Sequence, residues 1–207
     1  MTTLDLHLLD KILHIHIPIK YNKIGIAMSG GMDSTLLAYY LLKEIDHKKV
    51  VVYTVDLGNS YEYVNRILDE LNVICEVRLI NNPKNPNGVL SPIFTKALDE
   101  VDYFYTGTTM NPEWADKIPE GQKPYRYIKT EWKNMHMPFG TSLKTNIVDL
   151  YYQEQLFDLL KLTHTCTEKI DSHCGLCFAC RERWWAFNKL GLQDCVEYET
   201  HEAFTEL

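Results

Sequence analysis

Ile24-Gly25-Ile26-Ala27-Met28-Ser29-Gly30-Gly31-Met32-Asp33-Ser34-Thr35-Leu36-Leu37 is the stretch whose reading decides the fold. The apolar run 24–28 predicts a short strand and stops at Ser-Gly-Gly. After it, Leu36, Leu37, Tyr40 and Leu41 fall at helical spacing, so a helix is predicted over 35–43. Strand, glycine loop and helix in that order form a βα unit suited to phosphate. Two consecutive glycines admit an anion to the backbone N–H groups with no Cβ in the way. Ser29 and Ser34 add hydroxyl donors, and the helix presents its N-terminus to the same place. The spacing is neither Gly-x-x-x-x-Gly-Lys-Ser/Thr nor Gly-x-Gly-x-x-Gly. Asp33 would repel phosphate; it reads as a magnesium ligand or as a cap that shapes the loop.

Working outward, 50–55 is an unbroken β-branched run, the pattern of a strand covered on both faces. Further strands are predicted over 74–80 and 101–105, and helices over 61–71 and 92–98. A single helix is expected over 145–160, carrying Ile147, Val148, Tyr151, Leu156 and Leu159, and a short one over 181–189. Residues 81–88 are rich in Asn, Pro and Gly and read as a loop, and 111–133 has no period at all. Strands alternating with helices predict an α/β fold, a parallel sheet with helices on both faces. Such sheets bind ligands beyond the carboxyl ends of their strands. Three polar clusters lie just past predicted strand ends, at 29–34, 56–59 and 107–111, and converge on one expected site. The chain divides into 1–160, the nucleotide-binding α/β part, and 161–207, a smaller cysteine-bearing segment.

The chain has 207 residues, 45% of them hydrophobic, and a net charge of −7. That size buries a core without staples. The acidic balance argues against a broad nucleic-acid surface, and no direct nucleic-acid contact is expected. No apolar run reaches the roughly 18 residues of a membrane span, and the start of the chain lacks the pattern of a signal peptide. The expected location is therefore cytoplasmic, where cysteines remain thiols.

Four of the six cysteines lie in Cys166-x7-Cys174-x2-Cys177-x2-Cys180. Thiolates at this spacing can close a tetrahedron around one ion, with Gly175 easing the turn. Four sulfurs and no open position describe structural zinc, which contributes to folding directly. An iron–sulfur cluster is the rival, because Cys-x2-Cys-x2-Cys is also ferredoxin-like. His164 and His173 read as bystanders, and Cys75 as a small buried hydrophobe.

Ser-Gly-Gly-x-Asp-Ser resembles the loop of the PP-loop ATP pyrophosphatases. Cys174-Gly-Leu-Cys177-Phe-Ala-Cys180-Arg-Glu-Arg183-x2-Ala186-Phe187-x3-Gly191 is similar to the C-terminal signature of the 7-cyano-7-deazaguanine synthase family. Pro138-Phe139, Lys144 and Ile147-Val148 resemble the segment that precedes the first zinc cysteine there. The resemblance implies an ATP-dependent ligase that adenylates 7-carboxy-7-deazaguanine, accepts ammonia to give an amide, and dehydrates the amide to a nitrile for queuosine or deazapurine biosynthesis. It implies that Met28, Ser29, Gly30, Gly31, Met32, Asp33, Ser34, Asp56 and Gly107 hold ATP. Asp33 and Lys144 would be the catalytic pair, with Mg2+ as cofactor. Cys166, Cys174, Cys177 and Cys180 would hold zinc, and a homodimer is implied. Gly58-Asn59-Ser60-Tyr61 and the stretch 107–112 depart from the family pattern where base recognition is expected. They keep a second reading open: an adenylating enzyme that amidates another carboxylate or joins it to an amine on a partner.

Overall fold

The computed structural model describes residues 1–55, 60–80, 97–117 and 131–201. Its centre is a six-stranded sheet. The strands are β3 (Ile24–Ala27), β4 (Val50–Val55), β5 (Glu76–Ile80), β6 (Tyr103–Thr106), β7 (Glu131–Trp132) and β8 (Met135–His136), in the order β5-β4-β3-β6-β8-β7. All neighbours are parallel except the β7–β8 hairpin at one edge. Register is tight at the centre: Ala27 lies opposite Tyr53 on one side and Thr106 on the other. The residues that follow these three strands therefore leave the sheet along one edge.

Alternation along the strands sorts the core into two layers. Ile24, Ile26, Val50, Val52 and Tyr105 face one layer. There they meet α1 (Met32–Glu44), α2 (Ser60–Glu70), α3 (Lys144–Gln153) and α5 (Phe178–Lys189), with α4 (Phe157–Leu162) alongside. Ala27, Val51, Tyr53, Val55 and Phe104 face the other layer and pack on Ala97 and Leu98 of the described helical turn 97–100, on Val101 just after it, and on Met135 and Met137. All six residues of β4 are buried, as a strand covered on both faces requires. Each such aliphatic side chain contributes about 1.5–3 kcal/mol on burial.

The predicted helix over 145–160 is two helices. Gln155 takes φ +55, the Leu156 N–H donates to the Tyr151 carbonyl at 2.9 Å, and the Gln155 N–H donates to that of Tyr152 at 3.2 Å. This is a Schellman stop, which closes α3 and sends the chain into α4. Glycine usually occupies the left-handed position, and here glutamine does, so composition gave no warning. The ends of α2 and α5 close the same way, with Asn72 at φ 53 and Gly191 at φ 68. The predicted loop at 81–88 lies outside the described residues, as do 92–96 of the predicted helix 92–98 and most of the aperiodic stretch 111–133.

An antiparallel hairpin that the sequence reading passed over opens the chain: β1 (Thr2–His7) and β2 (Ile12–Ile17). Leu13, Ile15 and Ile17 point inward while Ile12, His14 and His16 point out. That period-2 signal was present in the sequence. The hairpin is fastened by the Tyr105 hydroxyl, which donates to the His16 carbonyl at 2.6 Å, and by the Lys11 ammonium on the Thr141 carbonyl at 2.5 Å. Among the described residues no helix is long and apolar enough to cross a membrane.

Candidate active site and cysteine cluster

Helix α1 begins at Met32 with Gly31 as its N-cap and no side chain capping it. Its first N–H groups are thus left for a ligand. The loop before it is braced from within. The Gly31 N–H donates to Ser29 Oγ at 3.3 Å, the Ser29 N–H to Ser34 Oγ at 3.2 Å, and the Ser34 hydroxyl to the Gly31 carbonyl at 3.2 Å. Gly30 sits at φ +79, and a Cβ there would lie 2.7 Å from that of Tyr63. The His164 N–H fastens the loop from outside, donating to the Gly30 carbonyl at 2.8 Å. Met28 and Met32 turn their side chains into the core, 2% and 1% exposed. What Met28 offers a ligand is backbone.

Gly107 follows β6 and backs the start of α1. A Cβ on it would lie 2.6 Å from the carbonyl carbon and oxygen of Asp33 and 2.7 Å from the Ser34 nitrogen. All three are main-chain atoms, so the side chain has nowhere to go. Gly107→Ala should cost about 1–3 kcal/mol by overpacking, read as a lowered thermal midpoint. An unchanged midpoint would show that the strand end yields freely.

Lys144 is the first residue of α3 and is 3% exposed. Its ammonium contacts Asp33 Oδ2 directly and lies 3.4 Å from Glu182 Oε2; Glu182 is 0% exposed. A cation at a helix N-terminus opposes the helix dipole, at a cost of about 0.3–1 kcal/mol. No acid in the first turn of α3 offsets it. Two carboxylates from other helices do. Asp33 Oδ1 is buried with no hydrogen-bond partner. The three groups together carry two formal negative charges against one positive. An orphaned carboxylate oxygen in a net-negative site at a phosphate-type loop fits a hard divalent cation such as Mg2+. Asp33, Lys144 and Glu182 line one cleft of about 450 Å³ with Ser29, Gly31 and Cys166.

The four cysteines meet beside that cleft, with their sulfurs all within 4.8 Å of one another. Cys166 and Cys177 are 4.0 Å apart. A tetrahedron with Zn–S bonds of about 2.3 Å has edges near ~3.8 Å, so closure needs movement on the order of 1 Å. Backbone N–H groups of Lys169, Leu176, Cys177 and Cys180 point at Sγ of Cys166, Cys174, Cys174 and Cys177 at 3.3–3.4 Å. Donors aimed at sulfur favour the thiolate form that a metal needs. Gly175, at φ +75, lies against the Thr200 carbonyl, so the cluster also gathers the tail.

His164 and His173 are otherwise engaged. The His164 ring nitrogen Nε2 is 3.1 Å from the Ser172 carbonyl, and the Thr165 N–H donates to His173 Nε2 at 3.3 Å. Cys75 is half-buried, and burial pushes its thiol up to about 11, which leaves it unreactive. Asp56 and residues 58–59 lie outside the described residues. Ser60 lines the cleft and donates from its hydroxyl to the Val55 carbonyl at 2.5 Å.

Glu182 and Arg183 carry no role in the reading of the sequence alone. Arg183 is 0% exposed and grips Asp194 with two hydrogen bonds, Nε to Oδ2 at 2.8 Å and an η nitrogen to Oδ1 at 3.0 Å. Another η nitrogen reaches Thr163 Oγ1 at 2.9 Å. Both residues lie on the helix face that carries Cys180, Ala186 and Phe187, and that spacing was the available signal.

Comparison with known proteins points the same way. Residues 120–191 match the family model described as queuosine biosynthesis protein QueC. The 7-cyano-7-deazaguanine synthase of Saccharolobus solfataricus is 43% identical over 87% of this chain and 48% of its own. That of Sulfolobus acidocaldarius is 40% identical over 86% of this chain and 48% of its own. The chain is a relative of the 7-cyano-7-deazaguanine synthases. It spans about half the length of the synthases it matches. Among solved structures, the U34-tRNA thiolase NcsA of Methanococcus maripaludis with its 4Fe–4S cluster is 15% identical, covering 81% of this chain and 65% of that one at TM-score 0.46. Likeness at that level does not reach to chemistry.

Proposed function

We propose that this chain is an ATP-dependent carbon–nitrogen ligase that makes 7-cyano-7-deazaguanine from 7-carboxy-7-deazaguanine and ammonia. The observation that carries the reading is one cleft in which the Ser29–Ser34 loop, the Asp33–Lys144 pair and the edge of the four-cysteine cluster meet. Similarity to synthases of that name supports the choice of product.

A carboxylate is a poor electrophile. Its oxygen attacks the α-phosphorus of ATP, giving an acyl adenylate and pyrophosphate. Ammonia attacks the carbonyl carbon, AMP leaves, and an amide remains. A second adenylation, on the amide oxygen, lets that oxygen depart with AMP as nitrogen loses its protons and the nitrile forms. In this reading the loop N–H groups and Ser29 hold the pyrophosphate, and Lys144 balances charge that grows on the α-phosphate. Asp33 holds Mg2+, which neutralises phosphate charge when bound. The loop and its neighbours keep water from the adenylate. No side-chain nucleophile is needed. Residues 1–160 carry the nucleotide. Cys166, Cys174, Cys177 and Cys180 hold one structural zinc ion in the segment 161–207. A homodimer in the cytoplasm, with no direct nucleic-acid contact, completes the proposal.

The test is turnover of 7-carboxy-7-deazaguanine with Mg-ATP and ammonium, read by mass spectrometry, with Asp33→Ala as control. The expected result is amide, then nitrile, with AMP and pyrophosphate, all lost in the control. ADP in their place would refute adenylation. An untouched acid, in metal-replete protein that binds ATP, would refute the substrate and favour another carboxylate or a partner's amine.

A further inference from the structure

The geometry points to Glu182 as a positioning residue that holds Lys144 in place for the nucleotide and ties that lysine to the cysteine cluster. The inference rests on the reading of the cleft as a Mg-ATP site. Lys144 stands between two carboxylates of different standing. Asp33 is 18% exposed and opens on the cleft, whereas Glu182 is 0% exposed and sits in its inner wall. Were Asp33 to hold a divalent cation, its carboxylate would share its charge with the metal and its hold on the ammonium would weaken. An ammonium buried at the wrong end of a helix would then swing away. Glu182, at 3.4 Å on the inner side, keeps a counter-charge on it while its outer side meets phosphate.

The position of Glu182 is in turn set by the cluster. Helix α5 is N-capped by Cys177, whose sulfur accepts from the Cys180 N–H, and Glu182 stands in the next turn. The four-cysteine site and the nucleotide cleft are therefore joined by two residues of helix and one ion pair. This gives the cluster a task at the site although none of its sulfurs need touch substrate.

The experiment compares wild type, Glu182→Gln, Glu182→Asp, Lys144→Met and the double variant Lys144→Met/Glu182→Gln. Metal content, thermal midpoint and the Kd for Mg-ATP by calorimetry are measured for each. Glu182→Gln should keep its metal and weaken Mg-ATP binding about 10–100-fold, the usual cost of losing a partner behind a functional group. Glu182→Asp, which keeps the charge but retreats, should fall between the two. In the Lys144→Met background, Glu182→Gln should change the Kd no further, because its effect runs through the lysine. Additive losses, or wild-type affinity in Glu182→Gln, would overturn the inference. Should Glu182→Gln fail to fold, Glu182→Asp decides: metal-replete protein with unchanged affinity overturns the inference, and weakened affinity supports it. Wild type that does not bind Mg-ATP would overturn this inference and the proposed function together, whereas the other negative results strike this inference alone.

Discussion

Cys174→Ser should strip the metal and open the loop from about 163 to 177 and the tail after α5 to proteolysis, while the sheet and α5 stay folded. Cys174 is 5% exposed, and its sulfur accepts two backbone N–H groups, so it cannot be replaced by movement nearby. Serine oxygen is a harder and weaker ligand for zinc than thiolate. Structural zinc contributes apparent values of about 10–16 kcal/mol in small metal-folded domains. A whole domain holds only about 5–15 kcal/mol of net stability. Holding zinc as proposed, the cluster would be the largest single term in its neighbourhood. What survives without it is whatever the main core holds: Ala186 and Phe187 of α5 pack there with Ile147 and Tyr151. The loop 163–180 and the tail through Thr200 have little such anchorage. Limited proteolysis with metal analysis checks the point. Wild type should carry one zinc per chain and resist cleavage; the variant should carry none and be cut after α4. A variant that resists cleavage as wild type does would show that the cluster is not structural. Iron in place of zinc in a coloured protein would move the site to the iron–sulfur reading.

The parts of the fold that the sequence announced are those where one local rule governs. The run 50–55 is buried on both faces and appears as predicted, and the strand–loop–helix at 24–44 is found almost residue for residue. The break at Gln155 was hidden because a Schellman stop was made without glycine. The N-terminal hairpin carries an equally local signal: Leu13, Ile15 and Ile17 alternate plainly with His14 and His16.

The site divides in the same manner. A loop of six contiguous residues can be read from order alone, and so can four cysteines at metal spacing. Contacts across 111 residues, such as Lys144 with Asp33, cannot be read from periodicity. Glu182 and Arg183 were obscured for a further reason. Charged neighbours on a helix suggest a wet face, and only the pattern of Cys180, Ala186 and Phe187 indicates that this face is buried. Arg183 answers with a two-bond pair to Asp194, and Glu182 with Lys144. Each buried charge has its opposite, as desolvation demands.

Lys144→Met should cut turnover by orders of magnitude and also loosen the protein, and the two effects should separate. Removing the ammonium takes away the cation that stands between Asp33, at the cleft, and the buried Glu182. Breaking a buried pair from one side costs about 3–5 kcal/mol, because the remaining charge is left uncompensated. Turnover should fall on the order of 10²–10³-fold, the usual loss when one charge-stabilising donor is removed from a transition state. Adding Asp33→Asn to Lys144→Met removes one of the two surplus charges. The double variant should therefore recover part of the lost midpoint and none of the turnover. Thermal melts and nitrile formation, measured on the same preparations, read both quantities. If the double variant regains activity along with stability, the lysine serves only to neutralise Asp33. If stability returns while activity does not, the lost midpoint belongs to the surplus charge and the lost turnover to the cleft, where Asp33 and Lys144 are both needed.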